Sequence, residues 1–181
     1  MNGEPLLFIC KENGRFPGSR LPVVLYKEGL SLPLFLKTLY IKRVFTAHQW
    51  APVSLGGIAT EAHYHSTAHV ALGVTEGSTT IQLGGDNGQK IRLSKGDVLI
   101  IPAGAAYRNL GMETQVQCVM ACPTGQVPDR YRGEPGERPS ADAHIASVGL
   151  PEQDPLFGAL DGIMALWAPA PYVTYPIKSL S

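Results

Sequence analysis

Three of the chain's five histidines fall in one short stretch, His63-Tyr64-His65-Ser66-Thr67-Ala68-His69. If that stretch is extended, alternate side chains share a face, so His63 and His65 project together and can place two imidazole nitrogens around one ion. Neutral imidazole suits a divalent transition metal such as zinc, nickel, iron or manganese. Two histidines on one face can equally well hydrogen-bond each other and solvent, and the pair alone does not choose between these readings. Because histidine titrates near neutrality, a tyrosine on a facing wall would also make proton transfer without a metal available.

The elements that must hold these residues are short strands. Fifteen prolines and twenty glycines punctuate brief apolar runs, which suits many strands joined by turns better than long helices. Leu21 to Tyr26 reads as an early strand or extended arm, and Leu30 to Arg43 carries apolar residues at mixed spacing that leave room for a helical turn. His63 to Val74 reads as a strand and Thr79 to Leu83 as the next. Gly84-Gly85-Asp86-Asn87-Gly88 supplies the freedom for a tight hairpin. Ile91 and Leu93 continue the meander. Val98-Leu99-Ile100-Ile101 follows the Ser94-Lys95-Gly96-Asp97 turn, and Val116 to Ala121 forms another strand. Successive antiparallel strands at this spacing predict a mostly β barrel or sandwich. Gly125 to Ser140 reads as a long surface loop, Ala141 to Val148 as a short helix, and Leu156 to Tyr175 as an apolar tail packed on the barrel or across a dimer.

The spacing around the histidines resembles the cupin signature. The first cupin motif is Gly, five residues, His-x-His, three or four residues, Glu, six residues, Gly; the chain has Gly57, His63, His65, Val70 and Gly77. The second is Gly, five residues, Pro-x-Gly, two residues, His; the chain has Gly96, Pro102, Gly104 and Tyr107. Only the acid of the first motif and the histidine of the second are replaced. The run from His63 to His69, Leu72-Gly73-Val74, Gly96 to Gly104, the Leu150-Pro151 and Asp154-Pro155 steps, Leu21-Pro22-Val23 and Leu166-Trp167 resemble the YjlB-like cupins over nearly the whole chain. The resemblance implies a single-domain jelly-roll barrel (double-stranded β-helix), its core spanning about residues 40–123. An N-terminal arm precedes it and a partly helical extension over about 124–181 follows. No internal repeat suggests a second barrel. For activity the resemblance implies little, since cupins include oxygenases, isomerases, decarboxylases, storage proteins and sensors.

In metal-binding cupins the two histidines, the glutamate and the second-motif histidine hold the ion, which by resemblance falls on His63, His65, Val70 and Tyr107. Valine has no donor atom, and a neutral tyrosine ligates only if the metal removes its proton. His69 sits at the motif's shorter spacing and shares parity with His63 and His65. A strand without a bulge therefore turns three imidazoles inward, with an open position for water or substrate. A bulge after Ser66, which the fit of Gly77 to the longer spacing favours, turns Val70 inward and His69 away. Tyr107 either fills the volume of a lost metal site, its hydroxyl bonded to His63 or His65, or takes part in acid and base chemistry with them.

Three functions follow, in this order: a small-molecule-binding barrel with a partly degraded metal site; a metal-dependent oxygenase or isomerase built on His63, His65 and His69; and a metal-free epimerase or isomerase built on a histidine and Tyr107. No arginine cluster marks a substrate, although Arg92 and Arg108 lie nearby in the chain. Thr80 and Gln82 alternate with Ile81 and Leu83, so that one pair faces the cavity or a solvated outer face; His48 and Trp50 precede the barrel and either cover its mouth or are structural, Asp97 satisfies backbone donors in its turn, and His144 has no obvious companions. Fifteen basic residues balance fifteen acidic ones, leaving no electrostatic footprint for nucleic acid or an anionic membrane. Cys10, Cys118 and Cys122 are odd in number and read as free thiols in a reducing compartment. A cytoplasmic homodimer with an unidentified small ligand is the expectation.

Overall fold

β4 (Val70–Leu83) runs for 14 residues through the middle of the molecule and belongs to two sheets in turn. Its first half lies between β6 (Val98–Ile101) and β8 (Val116–Pro123), and its second half between β5 (Lys90–Ser94) and β7 (Tyr107–Asn109), all antiparallel. The computed structural model describes residues 4–169. In it β1 (Leu6–Phe8), β2 (Val23–Tyr26) and β3 (Trp50–Gly56) complete an eight-stranded arrangement whose continuous path is β1-β2-β6-β4-β8-β3.

Pleating sorts the side chains into two cores. Leu99 and Ile101 of β6 point into the barrel with Val70, Leu72, Ile81, Leu93 and Val116, whereas Val98 and Ile100 point out. The outer face, with Val24, Ala71, Val119 and Ala121, is covered by Ile41 and Phe45 of α1 (Lys37–Ala47) and by Trp50, Ile163 and Trp167. Gly73 lets the helix approach, because a Cβ there would lie 2.7 Å from Ile41 and 3.0 Å from Phe45. α1 explains the mixed spacing of Leu30 to Arg43: only Ile41 and Phe45, one turn apart, are buried, while Leu34, Phe35 and Leu36 just before the helix stay exposed.

Two expected strand boundaries are corrected. Thr79 to Leu83 continues β4 rather than forming its own strand. The change of sheet occurs within the element, at a register shift between Val74 and Glu76 followed by Gly77 at φ +77°. A Cβ on Gly77 would come within 2.0 Å of the Gln115 carbonyl oxygen, so both dihedral and space require glycine. Nor is His63 to Val74 one strand. His63 and Tyr64 make single bridges to Tyr107 and Tyr131, and regular pairing begins only at Val70. In between, Ser66 and Thr67 give their backbone N–H groups to the Asp129 carboxylate instead of to a neighbouring strand.

α2 (Ser140–Ser147) occupies the expected short helix, and the tail forms α3 (Ile163–Leu166) against the outer core; its expected continuation to Tyr175 lies outside the described residues beyond 169. No helix among the described residues is long and apolar enough to cross a membrane. Cys10, Cys118 and Cys122 are buried and unbridged.

Candidate functional site

His63, His65 and Tyr107 come together at one end of the barrel interior. The backbones of His63 and Tyr107 exchange hydrogen bonds in both directions, 3.2 and 2.9 Å, which puts their side chains side by side with ring centroids 4.3 Å apart. The two imidazoles stand edge to face at 5.5 Å. All three rings are buried, at 4, 6 and 2 % exposure. They line a cavity of about 270 Å³ together with Leu72, Cys118 and Arg130.

Hydrogen bonding assigns a role to each nitrogen. His65 Nδ1 donates to the Asp129 carbonyl, so Nε2 carries the lone pair and accepts the Tyr107 hydroxyl at 2.9 Å. His63 Nδ1 donates to the Glu61 carbonyl at 2.9 Å, leaving its Nε2 an acceptor. Burial pushes the His63 imidazole down to about 4, opposed by the Glu61 carbonyl and assisted by the charge of Arg130. Burial likewise lowers His65 and raises Tyr107. Near neutrality both imidazoles are therefore uncharged and the phenol keeps its proton.

His69 is not brought to this group. Its ring packs on Trp167 with centroids 4.9 Å apart, and its Nδ1 accepts the Ala103 N–H at 3.0 Å. It lines a separate cleft beside the N-terminal arm and α2. Its Nε2 is buried without a hydrogen bond of good geometry among the described residues, although the Gly149 carbonyl, which accepts from Gln126, lies beside the ring and raises its basicity slightly against the effect of burial. Val70 meanwhile packs among the apolar residues of the barrel interior. The parity changes between His65 and Val70 because the chain turns at Ser66 and Thr67 rather than running straight.

The donor set does not fit the four-ligand metal centre. Val70 offers no donor, Tyr107 is a protonated phenol, and its hydroxyl occupies the His65 lone pair that a metal would need. Among the described residues no three His, Cys, Asp or Glu side chains stand close enough to share an ion.

Two participants were not legible from the sequence. Asp129 and Arg130 lie in the loop read as plain surface, with no apolar period or motif to flag them. Only the fold brings this segment back over the barrel end, 63 positions after Ser66. The nearby arginines behave differently: Arg108 bonds Gln82 and pairs with Asp86, and Arg92 bonds Ser78. His48 and Trp50 bond backbone carbonyls of Pro155 and Gln153, Asp97 binds Lys27 and two backbone N–H groups, and His144 contacts Ser66.

A jelly-roll barrel with both motif spacings intact and two neutral histidines at its mouth defines the class: the chain is a cupin. Within it, the sequence is 30% identical over 168 residues to the protein YjlB of Bacillus subtilis, described as uncharacterized, covering 92% of this chain and 99% of that one. The chain belongs to the YjlB family. No protein-family model matches. Among solved structures, acireductone dioxygenase from Bacillus anthracis with cadmium ion in its active center overlaps 59% of this chain and 82% of its own (TM-score 0.40, 14% identity). A DUF861 family protein from Thermotoga maritima overlaps 54% and 96% (TM-score 0.34, 21% identity). The match to Bacillus subtilis oxalate decarboxylase spans 72% of this chain but 30% of that one (TM-score 0.35, 15% identity), and an 11S globulin from Wrightia tinctoria is matched over 21% of its length. Overlaps this slight do not bear on this chain's chemistry.

Proposed function

We propose that this protein is a small-molecule-binding cupin whose barrel end works as a metal-free polar centre. The observation that carries the reading is the hydrogen bond from the Tyr107 hydroxyl to His65 Nε2, made where a metal-binding cupin would use that nitrogen as a ligand. The cavity is small beside typical ligand pockets of ~300–1,000 Å³, with an apolar wall and a few convergent polar groups. The test is elemental analysis of purified, tag-free protein beside its His63→Ala variant. Metal well below one ion per chain, unchanged in the variant, is expected; near-stoichiometric metal that disappears in the variant overturns the reading.

The same geometry supports acid and base chemistry as a second reading. His63 presents an unprotonated Nε2 to the cavity, and Tyr107 and His65 share one proton across a 2.9 Å contact, so a bound ligand could lose a proton to one group and gain one from another.

A further inference from the structure

Arg130 has no carboxylate within ion-pair distance among the described residues, although its neighbour Arg132 pairs with Glu61. It lines the cavity with His63 and His65. Its position is built by the residue before it. The Asp129 carboxylate accepts the Ser66 N–H, the Ser66 hydroxyl and the Thr67 N–H, while the Asp129 N–H donates to Thr67 Oγ1. The same residue's carbonyl fixes the His65 tautomer. The loop is thus fastened beside Arg130, which is itself exposed and stands at the rim of the cavity. Glu113 also lines the cavity; the charge of Arg130 bears on His63, His65 and Tyr107, and at His65 the Asp129 carboxylate, itself in the lining, opposes it.

We infer that the cavity binds a small carboxylate carrying a hydroxyl group, with Arg130 taking the carboxylate and His63 Nε2 and the Tyr107 oxygen accepting from the hydroxyl. This rests on the metal-free reading above. An unpaired guanidinium is a fixed fork of donors matched to a carboxylate. With its own proton given to His65, Tyr107 offers a lone pair, as does His63, so the ligand must bring a donor. The cavity, about 270 Å³ and just below the ~300–1,000 Å³ of typical ligand pockets, limits the ligand to a small molecule such as a short-chain acid. Asp129 is a positioning residue.

The test is a calorimetric titration of the full chain, dialysed against EDTA, with lactate and malate, beside succinate, which lacks the hydroxyl, and butane-1,2,4-triol, which lacks the charge. Saturable binding of a hydroxycarboxylate is expected, weakened about tenfold or more by Arg130→Gln and unaffected by Arg132→Gln. Asp129→Ala should weaken it as well and shift the ¹⁵N resonances of the His65 ring, a change that mere loop damage away from His65 would not cause. Equal binding of the triol, indifference to Arg130→Gln, or no binding of either hydroxycarboxylate up to about 20 mM overturns the ligand class and leaves the metal-free reading standing. Binding seen before dialysis and lost after it means that the carboxylate was held by a metal, and sinks both.

Discussion

Replacing Tyr107 by phenylalanine separates a tyrosine that occupies the His65 lone pair from one that would ligate a metal. The ring keeps its volume, so no cavity opens in the buried site, where Tyr107 is 2 % exposed. What is lost is the 2.9 Å hydrogen bond, and His65 Nε2 is left a buried acceptor without a partner. The net value of such a bond is about 1 kcal/mol, and an orphaned buried polar atom raises the cost toward ~2 kcal/mol. For a domain of this size each kcal/mol moves the midpoint by ~2–4 °C, so thermal unfolding should fall by ~2–8 °C. Affinity for a divalent metal should move the opposite way. With the hydroxyl gone, both Nε2 atoms are open, and zinc titrated into the Tyr107→Phe variant should bind about fivefold or more tightly than to the wild type, the equivalent of ~1 kcal/mol. Circular dichroism melting, zinc calorimetry and ¹⁵N shifts of the His65 ring read the three consequences. An unchanged midpoint with unchanged ring shifts would show that the hydrogen bond contributes nothing. Loss of metal from the variant would make Tyr107 a ligand and refute the reasoning.

Acidification should destabilise the fold. His63 and His69 are each held near 4 by burial against an ordinary 6.5, so between those values the unfolded chain binds more protons than the folded one. Stability is therefore complete above about pH 6.5 and falls as pH drops toward 4, by up to ~1.4 kcal/mol per pH unit for each histidine. Urea unfolding that gives the same free energy at about pH 7 and about pH 5 would contradict this. Gly77→Ala should be among the most damaging single changes, costing more than ~3 kcal/mol, because its Cβ would sit 2.0 Å from the Gln115 carbonyl at a positive φ. A variant melting within a few degrees of the wild type would show that β4 crosses between the sheets in some other way.

Much of the barrel was legible in the chain because its signals are local. Val98 to Ile101, bounded by a Gly-Asp turn and Pro102, needed no tertiary knowledge to read as a buried strand, and the glycines between Gly84 and Gly88 marked the hairpin from β4 to β5. α1 was less legible because its burial rests on two residues, and the exposed Leu34, Phe35 and Leu36 blurred the period. The motif spacing carried His63, His65 and Tyr107 to one site, since the bridge between His63 and Tyr107 is a consequence of the barrel itself.

Other features depended on contacts between distant parts of the chain. Period-two reading leaves the inward side of His69 and Val70 undecided, because a turn of one residue reverses every later side chain. The turn is made by Asp129, which bonds Ser66 and Thr67 from more than sixty positions away. The backbone carbonyl of the same residue fixes the His65 tautomer, and Arg130 follows it at the cavity rim, although the loop around them has no pattern of its own. Local pattern was enough for β2, β5, β6 and β8, for the turns between them and for the residue types at the barrel's end, but not for β1, β3 or the bounds of β4. Which of those residues face each other follows from the folded chain alone, because it depends on hydrogen bonds between segments whose separation no local pattern encodes.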